Sequence, residues 1–231
     1  MLILKHSPTI GNAIIESMKE IYSNESGNII DTKLLEIREF VPGGEDLFKI
    51  LNTKQKIIFF GGNHMDSSVG KIFLETCKKE NKKPCLIIFD SHLGSWFKSF
   101  IEGGFPPENV LLVGTRNLPQ EEIKFIREKR IKLLSMNALT EDLNDMCDTI
   151  MEFSDGRELY ISINLNIIDP AFAPKVFSPE IGGLTSRQFI FLIHRIKKIQ
   201  TLRIVDIVGI KDENEPNSTV KIGAKILAEL I

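Results

Sequence analysis

Short apolar runs alternate along this chain with stretches in which apolar residues recur every three or four positions. The runs at 2–5, 34–38, 56–60, 85–90, 109–113, 131–135, 158–165 and 202–210 predict strands. Helical spacing predicts helices over 10–22, 69–79, 119–128, 140–153, 186–199 and 219–230. Several strand runs are apolar throughout ("KIIFF", "CLIIFD", "NVLLVG"), the pattern of strands buried on both faces. Such strands belong to a parallel sheet covered by helices. The expected fold is therefore α/β: a three-layer open sheet of about eight mostly parallel strands with helices on both faces. A closed eight-stranded barrel competes, but 231 residues is near its short end. No repeat, low-complexity tract or linker interrupts the pattern, so residues 1–231 are expected to form a single domain.

Composition narrows the partners more than the chemistry. With 42% hydrophobic residues the chain can bury a full core. A formal charge of −2 supplies no basic field for nucleic acid or an anionic membrane. Three widely spaced cysteines (Cys77, Cys85, Cys147) form no CxxC, which points to a reduced, cytoplasmic protein without a disulfide framework. No segment is long and apolar enough to span a membrane, and "MLILKHSP" lacks the cationic start of a signal peptide.

In open α/β sheets ligands bind beyond the carboxyl ends of the strands, and three strand ends here carry unusual polar residues. In "IIFFGGNHMD" a tight Gly-Gly turn leads to His64. In "LIIFDSHLGSW" Asp90 and His92 stand at i, i+2. In "YISINLNIIDPAFAP" Asn164 and Asn166 do the same, pointing to one side of the strand. A lone histidine after a strand is more often a turn residue than a ligand, but three such ends in one sheet can converge on one rim. Two carboxylates at the spacing of Asn164 and Asn166 would clamp a metal well; two amides would not.

The ordered set "GGNH", "DSH" and "SINLNIIDPAFAP…SPEIGGLTSRQ" resembles the ureohydrolase family of arginase, agmatinase and formimidoylglutamase. So does the segment "NVLLVGTRNLPQEEIKFIREKRIKLLSM", and the likeness runs from about Lys56 onward. The resemblance implies a binuclear manganese site whose bridging hydroxide attacks a guanidine carbon, and assembly into a homo-oligomer. Carried over position by position, His64 matches the first histidine ligand, Asp90 the bridging aspartate and His92 the second histidine. The remaining aspartate of the second motif falls on Gly94, and both aspartates of the third fall on Asn164 and Asn166. The glutamate that holds the substrate guanidinium falls on Gly209 of "VDIVGIKDENEP", and the aspartate beside the first histidine is Asn63.

Charge then decides against two ions. Two divalent cations carry four positive charges, and of the expected carboxylates only Asp90 is present. A neutral amide oxygen is a poor bridge between hard cations, so binuclear manganese is not expected. Asn164 and Asn166 can instead donate hydrogen bonds to Asp90 and the histidines where ions would have sat. Two readings follow. One is a ureohydrolase fold that has lost guanidine hydrolysis and now serves as a binding or regulatory protein, its partner an unknown small molecule or protein. The other is a mononuclear-metal hydrolase of C–N bonds in linear amidines, with His64, Asp90 and His92 around one divalent transition metal.

Overall fold

The computed structural model describes residues 1–5, 8–26, 36–39, 46–51, 53, 55–63, 66–211 and 217–231. Eight strands form one sheet in the order β2-β1-β3-β8-β7-β4-β5-β6, and every pairing is parallel. They are β1 (Leu2–Lys5), β2 (Glu36–Glu39), β3 (Ile57–Phe60), β4 (Pro84–Phe89), β5 (Val110–Thr115), β6 (Lys132–Ser135), β7 (Glu158–Asn164) and β8 (Leu202–Val208). The strands β3, β4, β5, β7 and β8 are buried almost end to end; β3, β4 and β5 are apolar nearly throughout, as predicted, whereas β7 and β8 also bury Ser162, Asn164, Arg203 and Asp206. Of the edge strands, β2 is mostly exposed, with only Ile37 to offer a core, and β6 is exposed along its first half.

Helices cover both faces, closing the three layers. Helices α1 (Pro8–Ser26), α6 (Met136–Glu141), α7 (Leu143–Ser154), α8 (Ser186–Ile196) and α9 (Ser218–Leu230) pack on one face. The opposite face carries α2 (Asp46–Leu51), α3 (Ser67–Lys79), α4 (Gly94–Glu102) and α5 (Gln120–Lys129). The stretch expected as one helix over 140–153 is two. Asp142 adopts an extended backbone (φ −144°, ψ 95°), ending α6 and capping α7 through its carboxylate, which accepts from the amides of Asn144 and Asp145. Helices α2 and α4 lie outside the segments the hydrophobic pattern picks out. Among the described residues, no helix is long and apolar enough to cross a membrane.

Parallel strands all point the same way, so their carboxyl ends share one edge. Phe89 pairs with Ile163, which brings the next residues, Asp90 and Asn164, side by side there. Ser162 pairs with Asp206 one step below. Residues 160, 162 and 164 alternate onto one face of β7. A column of polar groups thus descends from the rim into the layer beneath α3 and α4.

Candidate functional site

Asp90 is the centre of the carboxyl edge. It is buried, and both of its oxygens are engaged. Asn164 Nδ2 donates to Oδ2 at 3.0 Å, Asn166 Nδ2 donates to Oδ1 at 2.8 Å, and the His92 backbone N–H donates to Oδ1 at 3.1 Å. The amide oxygens face donors as well: Asn164 Oδ1 accepts from the Asn166 backbone at 3.2 Å, and Asn166 Oδ1 from the Ser91 backbone at 3.1 Å. Turning either amide over would set oxygen against carboxylate oxygen and NH₂ against backbone N–H. The network therefore fixes both orientations. Burial raises the Asp90 carboxyl to about 6, against the opposing pull of the Asn166, His92 and Asn164 hydrogen bonds.

His92 is partly exposed, and its Nε2 lies 3.6 Å from Glu180 Oε2. Asn117 Nδ2 donates to the other oxygen of Glu180 at 2.6 Å. His64 lies outside the described residues, so its place relative to Asp90 is not part of this geometry. Gly94 opens α4, and its backbone N–H donates to Glu122 Oε1 at 2.9 Å, with the Leu93 N–H on the other oxygen at 3.3 Å. Gly209 follows β8 with φ +88°, and a Cβ placed there would stand 2.0 Å from Asn164 Oδ1. Its N–H donates to the Gly62 carbonyl and its own carbonyl accepts from the Phe177 N–H, so this backbone is held from both sides.

The strongest sequence motif turns out to hold a loop. Asp169 Oδ1 accepts from the Ala171 N–H at 2.9 Å, and Oδ2 accepts from the amides of Gly182 and Gly183 at 2.8 and 3.2 Å. These bonds keep its carboxyl below the usual range. A Cβ on Gly183 would meet the Asp169 nitrogen at 2.6 Å and the Ile167 carbonyl oxygen at 2.7 Å, so only glycine fits. Arg116, directly after β5, fastens the same loop to the rim. It donates to the backbone carbonyls of Asn166 (2.8 Å), Glu180 (2.6 Å) and Ile181 (2.9 Å). Neither Arg116 nor Glu180 stood out in the sequence. The signal that could have found Arg116 is its position at the end of a buried strand, where the rim lies.

Below the rim, Tyr160 donates its hydroxyl to Asp206 Oδ2, and both residues are enclosed. Burial lifts the Asp206 carboxyl to about 7, while the nearby Ser162 and Tyr160 hydroxyls oppose the rise. A raised folded pKa means that this carboxyl contributes stability below its unfolded value near 4, lost as pH rises through 7 and constant beyond. Asparagine in its place could still accept the Tyr160 hydroxyl without titrating. Asp206→Asn should therefore gain on wild type between pH 4 and 8, on the order of 2–4 kcal/mol. Urea unfolding across that range checks it; parallel curves would show that Asp206 does not titrate in this window.

The donor set does not fit a pair of manganese ions. Asp90 is consumed by three donors, and the two amides present NH₂ hydrogens where a cation needs lone pairs. Among the described residues, no group of three or more His, Cys, Asp or Glu side chains is placed to hold a metal ion.

Known proteins resemble this chain in sequence and in fold. An arginase from Bacillus caldovelox is 32% identical over 130 residues, spanning 54% of this chain and 43% of that protein. An agmatinase from Bacillus subtilis is 26% identical over 129 residues, spanning 54% and 42%. The chain thus aligns with less than half the length of each of these relatives. The fold matches more widely. The crystal structure of arginase from Bacillus subtilis superposes with a TM-score of 0.77 at 17% identity, covering 99% of this chain and 96% of that one. Formimidoylglutamase from Bacillus subtilis gives 0.78 at 16%, covering 99% and 84%. Residues 43–231 match the Arginase family as a whole. With its eight parallel strands and its carboxyl-edge motifs in order, the chain belongs to that family.

Proposed function

We propose that this protein is a ureohydrolase-fold binding or regulatory protein that does not hydrolyse guanidines, its ligand a small molecule or another protein. One observation carries the reading: both oxygens of Asp90 are already paired with the side-chain amides of Asn164 and Asn166. An amide in place of a carboxylate keeps the shape of the site and removes the charge that two divalent ions require. Gly209 adds to this, because the residue that would meet a guanidinium has no side chain. The three cysteines are all unpaired and buried, which suits a reducing compartment such as the cytoplasm.

The expected result is no urea or formamide release from arginine, agmatine or formimidoylglutamate above a His64→Ala control, even with added Mn²⁺. Elemental analysis of the untagged, unchelated protein should find well under one metal ion per chain. Manganese-dependent turnover abolished in the control would overturn the proposal. One tightly bound ion per chain, lost in His64→Ala, would establish instead the mononuclear site of His64, Asp90 and His92.

A further inference from the structure

At the opposite edge of the sheet, by the amino ends of β3, β7 and β8, lies a cavity of about 580 Å³. That volume is in the range that takes a small organic ligand. Five charged residues line it: Lys56, Glu80, Lys82, Glu158 and Arg203. Both carboxylates are already neutralised. Glu80 receives a two-pronged bond from the buried Arg203 guanidinium, at 2.9 and 3.1 Å, and lies 3.3 Å from Lys82 Nζ. Glu158 takes Lys82 Nζ at 2.6 Å and stands 3.6 Å from Arg203. The Arg203 fork is held further by the Leu51 carbonyl at 2.8 Å. These four residues form a closed, preorganised wall.

Lys56 is the residue left over. It is half-buried, and its amine makes no hydrogen bond or ion pair with any described residue. Three cations against two carboxylates leave the lining with one surplus positive charge. Burial, and after it the nearby Lys197, depress the Lys56 pKa. Around it Gln55, Gln200 and Thr201 offer neutral hydrogen-bonding groups. We propose that this amino-edge cavity binds the anionic head of a small molecule, a carboxylate or a phosphate, with Lys56 as its counter-ion. The cavity lies across the sheet from Asp90, and its occupancy does not depend on whether the carboxyl edge hydrolyses anything.

Calorimetric titration with inorganic phosphate and with acetate, at constant ionic strength set by chloride, tests it. Saturable binding of at least one of them is expected, weakened at least tenfold in Lys56→Met. Lys83→Met removes an exposed lysine outside the lining and should leave binding within twofold. Phosphate binding without acetate binding would assign a phosphate ester as the ligand class, and comparable binding of acetate a carboxylate. Lys56→Met should melt at or above the wild-type temperature, since an uncompensated charge is removed. Should it fail to fold, Lys56→Gln carries the same comparison. Binding that never saturates, or that survives the loss of Lys56 unchanged, overturns the proposal.

Discussion

Gly209→Glu, which introduces the glutamate that the ureohydrolase resemblance implies at this position, should destabilise the protein by roughly 2–5 kcal/mol. Two independent costs add. The backbone at 209 has φ +88°, where a side chain is strained by about 1–2 kcal/mol. That conformation cannot relax easily, because the Gly62 carbonyl and the Phe177 amide grip it from either side. The second cost is steric. A Cβ would stand 2.0 Å from Asn164 Oδ1, so Asn164 must move, and moving it breaks its bond to Asp90 and the bond it accepts from the Asn166 backbone. A double-mutant cycle separates the two. Gly209→Ala should cost about 1–2 kcal/mol less in an Asn164→Ala background, because the clash disappears while the backbone strain persists. Equal costs in both backgrounds, read from urea unfolding, would show that the contact with Asn164 is not the constraint. The residues at 164 and 209 thus form a coupled pair, and reverting one alone is worse than reverting neither.

Asn164→Asp should destabilise by roughly 1–3 kcal/mol at neutral pH. The new carboxylate replaces a donor that sits 3.0 Å from Asp90 Oδ2, a group whose own pKa burial has already lifted to about 6. Two carboxyls at that distance share one proton, and the second pKa of the pair rises further. Raised folded values fix the direction of the pH dependence. The penalty is small below the unfolded value near 4, where the introduced carboxyl is protonated and can still donate to Asp90. It grows as pH climbs through the folded values and then levels off. Adding Mn²⁺ or Zn²⁺ should partly rescue the variant by binding only the folded form. Melting temperatures of wild type and variant, at pH 4 and pH 8, with metal and with chelator, measure all of this. A variant more stable than wild type as purified, and losing that gain in chelator, would mean that an ion already occupies the site.

How far the sequence could be read follows from what each element depends on. The strands β3, β4 and β5 were legible because burial on both faces forces unbroken apolar runs, and β7 and β8 because polar residues interrupt theirs at only a few positions. Helix α4 was not. Its buried Phe97, Phe100 and Ile101 keep helical spacing, but over 9 residues that spacing is too short to stand out as a periodic pattern. The division between α6 and α7 depends on the backbone of Asp142, which an amphipathic pattern running across it conceals. At the site, the meeting of Asp90 with Asn164 and Asn166 could be anticipated, since parallel strands finish at one edge. The role of Glu180 could not. It reaches His92 through a loop whose path is set by Asp169 and Arg116, and no periodicity encodes that path. The Tyr160–Asp206 bond was equally hidden, because the β7–β8 register shifts between Leu159 and Tyr160.

The strand order carries a consequence for how the molecule comes together. The strands β2, β1 and β3 form one ribbon, and β7, β4, β5 and β6 form another, and among the described strands only β8 hydrogen-bonds to both. Residues Leu202–Val208 are therefore the keystone of the sheet, although they come last among its strands. While the chain emerges from the ribosome, β3 and β7 each wait with an open edge of unpaired backbone groups. Neither ribbon can close until β8 has been made and inserted. Parallel, long-range pairing of this kind is slow, and exposed edges invite association between chains. Nascent chains stalled before residue 202 should accordingly be sensitive to protease and prone to aggregate, and resistance should appear only once β8 has cleared the exit tunnel.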